Sequence, residues 1–184
     1  MVQQHSYKDS ELPDHLKCQI VSFLRVEWPD GFQKENRLRD WITKKEHHAL
    51  HFVLVEDKNI LVSYAGVVWK YLSHAGKTYK MYGLSGVFTY PQFRSKGYGL
   101  QLVKAAKKYI DQSDGDIVLM TSRLKGFYEK ADFECMKTMT LFEGTPQRHK
   151  KHKENVYMLC LSKKGKSARR DFEKEPVYFG ETIW

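Results

Sequence analysis

Three mostly apolar stretches in the first half of the chain have the length and composition of β-strands. They cover residues 49–56, 60–72 and 78–89 and are rich in valine, tyrosine and other strand-favouring residues. Short polar segments at 57–59 and 74–77 separate them. Because short connections of this kind join antiparallel neighbours, the pattern predicts an antiparallel meander of three strands.

Two other segments carry apolar residues at the spacing of an amphipathic helix. The first follows Ser10, a candidate N-cap. Its apolar positions are Leu12, Leu16, Ile20, Phe23 and Leu24. The second covers residues 98–110. Its apolar positions are Leu102, Val103, Ala106, Tyr109 and Ile110. Each pattern predicts a helix with one buried face.

The segments around the first helix are less regular. A short edge strand is expected before Ser10. Residues 29–48 are polar and aromatic without a clear period, which predicts a loop with a short helix near 38–42. In an enzyme, a loop of this kind commonly covers the substrate.

The second half of the chain alternates strands with short helices. Strands are predicted at residues 117–121, 133–143 and 155–161. A short helix is expected at Tyr128, and the apolar tail at 171–184 is expected to pack on the body of the protein. This order of elements predicts a single α+β domain over residues 1–184, with a mixed sheet.

The turn at residues 91–99 carries a chemical signal. Pro91 ends the preceding strand because proline has no N–H and a fixed φ, and Arg94-x-x-Gly97-x-Gly99 follows immediately before a helix. Free N–H groups at a helix N-terminus bind anions, and Lys96 adds mobile positive charge. The turn therefore predicts a site for a phosphate-bearing ligand, although the glycines also fit a purely structural turn.

Composition narrows the class of protein. The chain has 184 residues, of which 41% are hydrophobic, and a run of 18 apolar residues is absent, so no membrane span is expected. The N-terminus lacks the apolar core of a secretion signal. Cys18, Cys135 and Cys160 are far apart in apolar surroundings, which favours buried thiols over disulfides. These features predict a cytoplasmic protein.

Charge and histidine content bear on possible partners. The formal net charge of +9 favours an anionic partner. Much of the positive charge lies in residues 148–153 and 163–170, which we expect to form solvated loops. These runs lack the interleaved aromatic residues of nucleic-acid-binding surfaces, so nucleic acid is not expected as a partner. His47, His48 and His51 are close in sequence, but a predicted strand contains His51, and we expect no metal site.

Two motifs resemble signatures of the GNAT acetyltransferase superfamily. Residues 91–99 are similar to its loop for the acyl-CoA pyrophosphate, and residues 127–133 are similar to its short helix that carries a tyrosine. Asp132 stands where the family usually has glycine, and aspartate tolerates the left-handed conformation that ends a helix. The resemblance implies a GNAT-like fold with a mixed, mostly antiparallel central sheet, splayed at its centre and flanked by helices. It also implies acetyl-CoA as co-substrate.

The resemblance assigns roles to individual residues. The pantetheine arm would bind the main chain of Val87, Phe88 and Thr89. The pyrophosphate would bind the turn formed by Arg94, Ser95, Lys96, Gly97, Tyr98 and Gly99. Tyr128 would give a proton or a hydrogen bond to the departing thiolate. A tyrosine that simply packs on the core is the alternative.

Further stretches resemble the aminoglycoside 2′-N-acetyltransferases, at Asp40-Trp41, at residues 83–87 and at the C-terminus. In that family a glutamate on the central strand acts through water, and acidic groups with a terminal tryptophan carboxylate hold the polyamine. Here Ser85 stands at the glutamate position, where a hydroxyl orients a water but needs help to act as a base. Candidate acceptor-binding groups are Asp40, Glu181 and the Trp184 carboxylate, and the C-terminal tail at 163–184 is expected to pack near the acceptor site.

Two main hypotheses for function follow. The first is an acetyl-CoA-dependent N-acetyltransferase that acts by direct attack of a primary amine in a ternary complex. Its acceptor would be a small amine, an aminoglycoside among them, or a protein amine. The second is a regulatory module that binds acyl-CoA without turnover; Ser85 in place of a carboxylate favours it, and Tyr128 opposes it. A homodimer is consistent with the resemblance.

Overall fold

The computed structural model describes residues 1–57 and 59–180. Its strands and helices, in chain order, are β1 (Val2–Lys8), α1 (Asp14–Glu27), β2 (Leu50–Glu56), β3 (Ile60–His74), β4 (Lys77–Thr89), α2 (Tyr98–Asp111), β5 (Ile117–Ser122), β6 (Glu134–Cys135), β7 (Leu141–Thr145), β8 (Arg148–Lys151), β9 (Asn155–Cys160), α3 (Lys163–Lys174) and β10 (Val177–Tyr178). Among these residues, no helix has both the length and the apolar character that crossing a bilayer requires.

The described chain divides into two compact units. Unit 1 comprises Met1–Val68 and Ser85–Ala106, and unit 2 comprises Trp69–Leu84 and the described residues from Lys107 onward. The long strands β3 and β4 and the helix α2 each contribute residues to both units. Each unit is built around its own cluster of buried side chains.

Unit 1 contains a sheet in the order β1-β2-β3-β4, with antiparallel pairing of β1 to β2 and of β2 to β3. The three strands predicted at 49–56, 60–72 and 78–89 are confirmed as β2, β3 and β4, and the edge strand before Ser10 as β1. The strand register places Val53 opposite Tyr64 and His51 opposite Gly66. The buried residues of α1 pack in one cluster with Val53 and Tyr64.

Two local predictions in unit 1 were wrong. Helix α1 begins at Asp14, so Ser10 is not its N-cap. The residue before a proline avoids the helical region, and Leu12, before Pro13, is accordingly extended with ψ of 122°. The short helix near 38–42 is also absent; 3₁₀ turns form instead at Pro29–Phe32 and Lys34–Asn36.

Unit 2 contains the strand order β3-β4-β5-β9-β6 and a separate three-stranded sheet in the order β10-β7-β8. Strand β4 pairs with β5 in parallel at only two positions, Met81–Ile117 and Tyr82–Val118. Strand β5 pairs with β9 in antiparallel fashion along its whole length. The strand predicted at 117–121 is thereby confirmed, whereas the one predicted at 133–143 is two shorter strands, β6 and β7.

The basic segments of unit 2 are regular elements and not the predicted loops. Arg148–Lys151 forms β8, an exposed strand paired with β7. Lys163–Lys174 forms α3, which buries only Gly165, Ala168 and Phe172. Small residues and one aromatic ring at helical spacing are enough to dock this helix, while the lysines and arginines cover its other faces.

Other packing predictions had mixed outcomes. The apolar tail packs as expected in its described part, where Val177 and Phe179 are buried. Tyr109 is largely exposed although it follows the apolar spacing of α2. Cys18 is exposed, and Cys135 and Cys160 are only half-buried, so none of the three thiols is fully buried. Among the described residues, no group of histidine, cysteine or acidic side chains is arranged to hold a metal ion.

Candidate functional site

A left-handed residue in β4, Gly86, marks the part of the strand where site residues were predicted. Gly86 has a φ of +61°, in the left-handed region that favours glycine. A β-carbon at this position would lie 3.0 Å from Leu24 and 3.3 Å from the ring of Tyr64. Both the conformation and the space therefore require glycine here. The preceding residue, Ser85, is buried.

Beyond Gly86, alternate residues of β4 direct their main-chain groups to opposite edges. The Phe88 carbonyl accepts a hydrogen bond from Ser63 Oγ at 2.7 Å, and the Tyr90 N–H donates to Val62 O at 3.0 Å. Because these groups face β3, the main-chain groups of Val87 and Thr89 face the other edge. On that edge, within the described residues, the ladder with β5 stops at Tyr82. On this edge the main chain of Val87 and the Thr89 N–H can pair with an extended ligand, whereas the Thr89 carbonyl accepts a hydrogen bond from Arg94 Nε at 3.1 Å.

The side chains of Phe88 and Thr89 make contacts within unit 1. Phe88 stacks on Phe23 of α1 with ring centroids 4.3 Å apart, and the Thr89 hydroxyl lies 2.8 Å from Ser63 Oγ. Because the Phe88 carbonyl also accepts from Ser63, the main chain of Phe88 faces β3 as well. Ligand contact by the main chain of Phe88 therefore stays a prediction.

The turn after β4 leads directly into α2. A 3₁₀ turn covers Pro91–Phe93, and Ser95 and Gly97 then have left-handed φ values of +64° and +81°. The first helical hydrogen bond runs from the Gln101 N–H to the Gly97 carbonyl at 3.0 Å. The N–H groups of the three residues before Gln101 have no acceptor within the helix. Backbone of this shape directs N–H groups into a concave surface suited to an anion.

The two cations of this turn are held differently. Arg94 forms an ion pair with Glu27 at 2.8 Å and donates from Nε to the Thr89 carbonyl at 3.1 Å. It therefore ties the turn to the end of α1 and to β4. Lys96 is exposed, with its ammonium 5.8 Å from the centre of the Phe93 ring. Lys96 is thus the more mobile of the two positive charges.

The segment before β2 is organised by one arginine. Arg39 donates to the carbonyls of Trp41, at 2.7 Å, and of Ile42, and its guanidinium lies 3.9 Å from the centre of the Trp41 ring. Burial lowers the pKa of Arg39. Asp40, predicted to bind the acceptor, is exposed between these two anchored residues.

Tyr128 belongs to unit 2, in the 3₁₀ turn Tyr128–Ala131. It is buried and lies against Phe127 and Tyr157, with ring centroids 5.0 and 5.3 Å away. Burial raises the pKa of Tyr128 to about 12, although a hydrogen bond with Ser122 opposes the shift. This turn ends at Asp132, whose φ of +62° is the left-handed conformation expected there.

The predicted site residues are thus distributed over the chain. Unit 1 holds Ser85, Asp40, the strand residues 87–89 and the turn 94–99, and it brings the strand and the turn together. Tyr128 lies in unit 2. Glu181 and Trp184 lie outside the described residues.

Sequence reasoning missed one polar cluster of unit 1. Buried His51 lies 2.9 Å from the Tyr64 hydroxyl through Nδ1 and 3.1 Å from Asp9 Oδ1 through Nε2. The sequence predicted His51 as a packing residue in a strand. It gave no signal that His51 would bond to Asp9 and Tyr64, which are distant from it in the chain. The only local signal was a histidine and a tyrosine within otherwise apolar strands.

Comparison with known proteins identifies the family. The profile of the Acetyltransferase (GNAT) domain matches residues 4–136. No curated protein matches the chain in a sequence comparison. The predicted fold class is confirmed, since solved GNAT structures have the same fold of helices and a mostly antiparallel sheet.

Three solved structures illustrate this similarity. One is a GNAT family N-acetyltransferase (YhbS) from Escherichia coli in complex with CoA, with 14% identity, a TM-score of 0.60, and coverage of 98% of this chain and 92% of that chain. A GNAT family acetyltransferase from Brucella melitensis in complex with acetyl-CoA has 17% identity and a TM-score of 0.56, covering 87% and 89%. A conserved protein of unknown function from Enterococcus faecalis V583 has 15% identity and a TM-score of 0.57; the match covers 73% of this chain and spans only 33% of that longer one.

Proposed function

The chain belongs to the GNAT acetyltransferase family, and we propose that it transfers an acetyl group from acetyl-CoA to a primary amine by direct attack in a ternary complex. The observation that carries this proposal is the continuity of two features in unit 1. The edge of β4 at Val87 and the Thr89 N–H leads into a turn at the start of α2 whose left-handed residues shape its backbone to receive an anion. An extended thioester with a pyrophosphate at one end fits that order of groups.

The turn would hold the pyrophosphate mainly through the main chain of residues 95–99. Lys96 would add charge, while Arg94 would hold the turn in shape through Glu27 and Thr89. The pantetheine arm would pair with Val87 and Thr89, which leaves its thioester near Ser85 and Gly86. Complexes of the E. coli protein with CoA and of the Brucella protein with acetyl-CoA support this choice of co-substrate.

Tyr128 would assist the departure of the thiolate as a hydrogen-bond donor. A thiol titrates at about 8.5, whereas burial raises the pKa of Tyr128 to about 12. Full proton transfer from this phenol to a thiolate is therefore uphill. A phenol with this pKa stays protonated through the whole physiological range, so it donates a hydrogen bond at every working pH.

The acceptor is proposed only as a primary amine. An aminoglycoside is one candidate, through the resemblance at Asp40, Glu181 and Trp184, and a lysine-bearing peptide or a small polyamine are others. A net charge of +9 disfavours a polycation unless acidic groups gather at the site. Ser85 would orient a water near the amine and not remove its proton alone.

The first test is calorimetric titration with acetyl-CoA, followed by release of the CoA thiol against kanamycin, spermidine and a lysine peptide. We expect binding and turnover of at least one amine. Absence of acetyl-CoA binding would contradict both the enzyme and the regulatory module. Binding without thiol release on any amine would favour the regulatory module, which is the second candidate because Ser85 supplies no carboxylate.

Tyr128→Phe refines this test, with exposed Tyr71→Phe as the control. We expect the Tyr128 variant to lose roughly tenfold to a hundredfold in kcat and to keep its affinity for acetyl-CoA. Since the pKa of Tyr128 is about 12, the rate should not fall through its ionisation at any pH below about 11. An unchanged kcat would remove Tyr128 from the mechanism.

Organisation and location stay predictions: a single domain over residues 1–184, a cytoplasmic location and a possible homodimer. Nucleic acid is not proposed as a partner. The basic strand β8 and the basic helix α3 carry regular structure, and their surface charge has no assigned ligand.

A further inference from the structure

A line of hydrogen-bonded side chains runs from the surface of unit 1 into its interior. Asp9, in the 3₁₀ turn after β1, is 48% exposed. It pairs with His51, which pairs in turn with Tyr64, at heavy-atom distances of 3.1 and 2.9 Å. Both His51 and Tyr64 are fully buried. The line therefore starts at solvent and ends inside the unit.

Its inner end lies beside Gly86 of β4. A β-carbon on Gly66 would lie 2.6 Å from the Tyr64 hydroxyl and 3.0 Å from the Ser85 carbonyl oxygen. The Tyr64 ring also lies against Gly86. Moving back along β4 from the turn, each residue advances about 3.3 Å, so a thioester bound along the edge that faces away from β3 reaches the level of Ser85 and Gly86. The Tyr64 hydroxyl lies on the side of these residues that faces β3.

The bonding pattern sets the direction in which a proton can move. An ionised Asp9 carboxylate only accepts hydrogen bonds, so His51 Nε2 carries the hydrogen between them. His51 Nδ1 is then an acceptor, and the Tyr64 hydroxyl donates to it. In this arrangement His51 is a neutral base whose free lone pair faces the interior.

We propose that Tyr64, His51 and Asp9 form a proton relay that deprotonates the acceptor amine, a task for which Ser85 supplies no carboxylate. This inference rests on the proposed acetyl transfer. The ammonium group gives a proton to the Tyr64 oxygen through a water molecule that acceptor binding would admit to this buried hydroxyl, and the hydroxyl's own proton passes to His51 Nδ1. The Nε2 proton of His51 passes to the Asp9 carboxylate and from there to bulk water. One proton leaves, and the amine lone pair becomes free to attack the thioester.

The electrostatics of the buried groups suit this role. Burial lowers the pKa of His51, although its hydrogen bond to Asp9 and the charge of Asp9 oppose the shift. His51 is therefore neutral and able to accept a proton near neutral pH. Burial raises the pKa of Tyr64, so a lasting phenolate does not form and its two proton transfers are concerted. The charge of Arg39 faces Tyr64 and opposes that rise, and Tyr7 of β1 stands opposite His51.

A kinetic test distinguishes a proton relay from hydrogen bonds that only hold the 3₁₀ turn at Asp9 against the sheet. In the wild type, the pKa that governs the acid limb of the kcat/KM profile should lie below the ordinary histidine value of about 6.5. In Tyr64→Phe and His51→Gln the amine has to lose its proton to solvent, so the limb should move up toward the pKa of the amine, about 10.4 for a lysine side chain. The amine used is whichever of kanamycin, spermidine and the lysine peptide the wild type turns over fastest.

The expected size of the effect changes with pH. Tyr64→Phe should lower kcat/KM about 100-fold near neutral pH and less than about tenfold at about pH 10. Asp9→Asn, a change at an exposed position that should not disturb folding, should give a smaller loss with the same recovery at high pH. Tyr7→Phe, a phenol on the neighbouring strand but outside the line, is the matched control and should follow the wild type.

A second readout does not use activity. Nitrogen-15 NMR of labelled histidine should show His51 as the neutral Nε2–H tautomer near neutral pH, with its Nδ1 signal shifted in Tyr64→Phe. An imidazolium or an Nδ1–H tautomer would overturn the relay, and so would variants whose losses are equal at all pH values. A wild type that turns over no amine would contradict the acetyl transfer itself and remove the relay with it.

Discussion

Gly66 lies in β3 where the Tyr64 hydroxyl occupies the space that a side chain would fill. A β-carbon there would be 2.6 Å from that hydroxyl and 3.0 Å from the Ser85 carbonyl. Neither oxygen is free to move away, because Tyr64 is bonded to His51 and the other oxygen belongs to the main chain. The glycine is therefore needed for packing, although its own φ is not in the left-handed region.

We expect Gly66→Ala to lower the free energy of unfolding by about 2 kcal/mol, as overpacking of a well-filled interior usually does. Gly31→Ala is the control, since its β-carbon would make an ordinary contact of 3.5 Å with Arg39, and it should change stability by less than about 0.5 kcal/mol. Urea denaturation measures both. Equal stabilities of the two variants would show that β3 and β4 adjust to an added methyl group.

Individual site residues differed in how far the sequence revealed them. Pro91, Gly97 and Gly99 were recognisable because their conformational limits act within the turn itself. Asp9, His51 and Tyr64 were not recognisable as a set, since 42 and 13 residues separate the bonded pairs. The pairing of β1 with β2, which places Tyr7 opposite His51, and of β2 with β3 brings them together.

Among the elements, α3 and β8 show how charge can conceal regular structure. Both are dominated by lysine and arginine, which predicts a solvated loop when composition alone is considered. In α3 the signal for structure is Ser162, whose Oγ accepts from the Gly165 N–H at 3.0 Å and donates to Asp116 at 2.6 Å. A cap and a narrow buried stripe thus define this helix.

The element that joins β4 to α2 depends on left-handed backbone, which gives a direct prediction. Gly97 has φ of +81° with open space around it, so Gly97→Ala adds conformational strain of about 1–2 kcal/mol without a clash. If the turn binds pyrophosphate in this conformation, the Kd for acetyl-CoA should rise roughly tenfold. Calorimetry measures the affinity, and thermal unfolding measures the stability.

Gly126→Ala is the matched control for this variant. Gly126 has φ of +77° and equally open surroundings, but it lies in unit 2 before Tyr128. It should cost similar stability and leave the affinity for acetyl-CoA unchanged. A similar loss of affinity in both variants would mean that the effect is not specific to the turn at residues 91–99.

At the scale of the whole molecule, the excess of positive charge governs the long-range attraction of ligands. The formal net charge is +9, from 31 lysines and arginines against 22 acidic residues. Such a charge attracts an anionic ligand over distances comparable with the Debye length, about 10 Å at 0.1 M salt. A neutral ligand gains nothing from it.

We therefore expect the affinity for acetyl-CoA to weaken several-fold as ionic strength rises from low to molar salt. Acetylpantetheine, which keeps the thioester arm and lacks the phosphates, is the control and should bind weakly with little dependence on salt. Titration calorimetry over a salt series measures both. A salt-independent Kd for acetyl-CoA would contradict phosphate binding at the turn.

The sequence alone determined the features that depend on near neighbours along the chain. Apolar stretches bounded by turns, helical spacing, Pro91 and the paired glycines identified β2, β3, β4, α2 and the turn at residues 91–99, because these signals act within one strand, one helical period or one turn. The resemblance of the two motifs then indicated the family to which the match over residues 4–136 assigns the chain.

The tertiary structure decided which distant residues meet. Hydrophobic periodicity tells which face of a strand is buried, but the partner across the sheet depends on register, and a slip of one residue would turn every side chain to the other face. The bonds from Tyr64 to His51 and from His51 to Asp9 exist only in the observed register. The docking of α3 likewise depends on a contact between segments far apart in the chain, from Ser162 to Asp116.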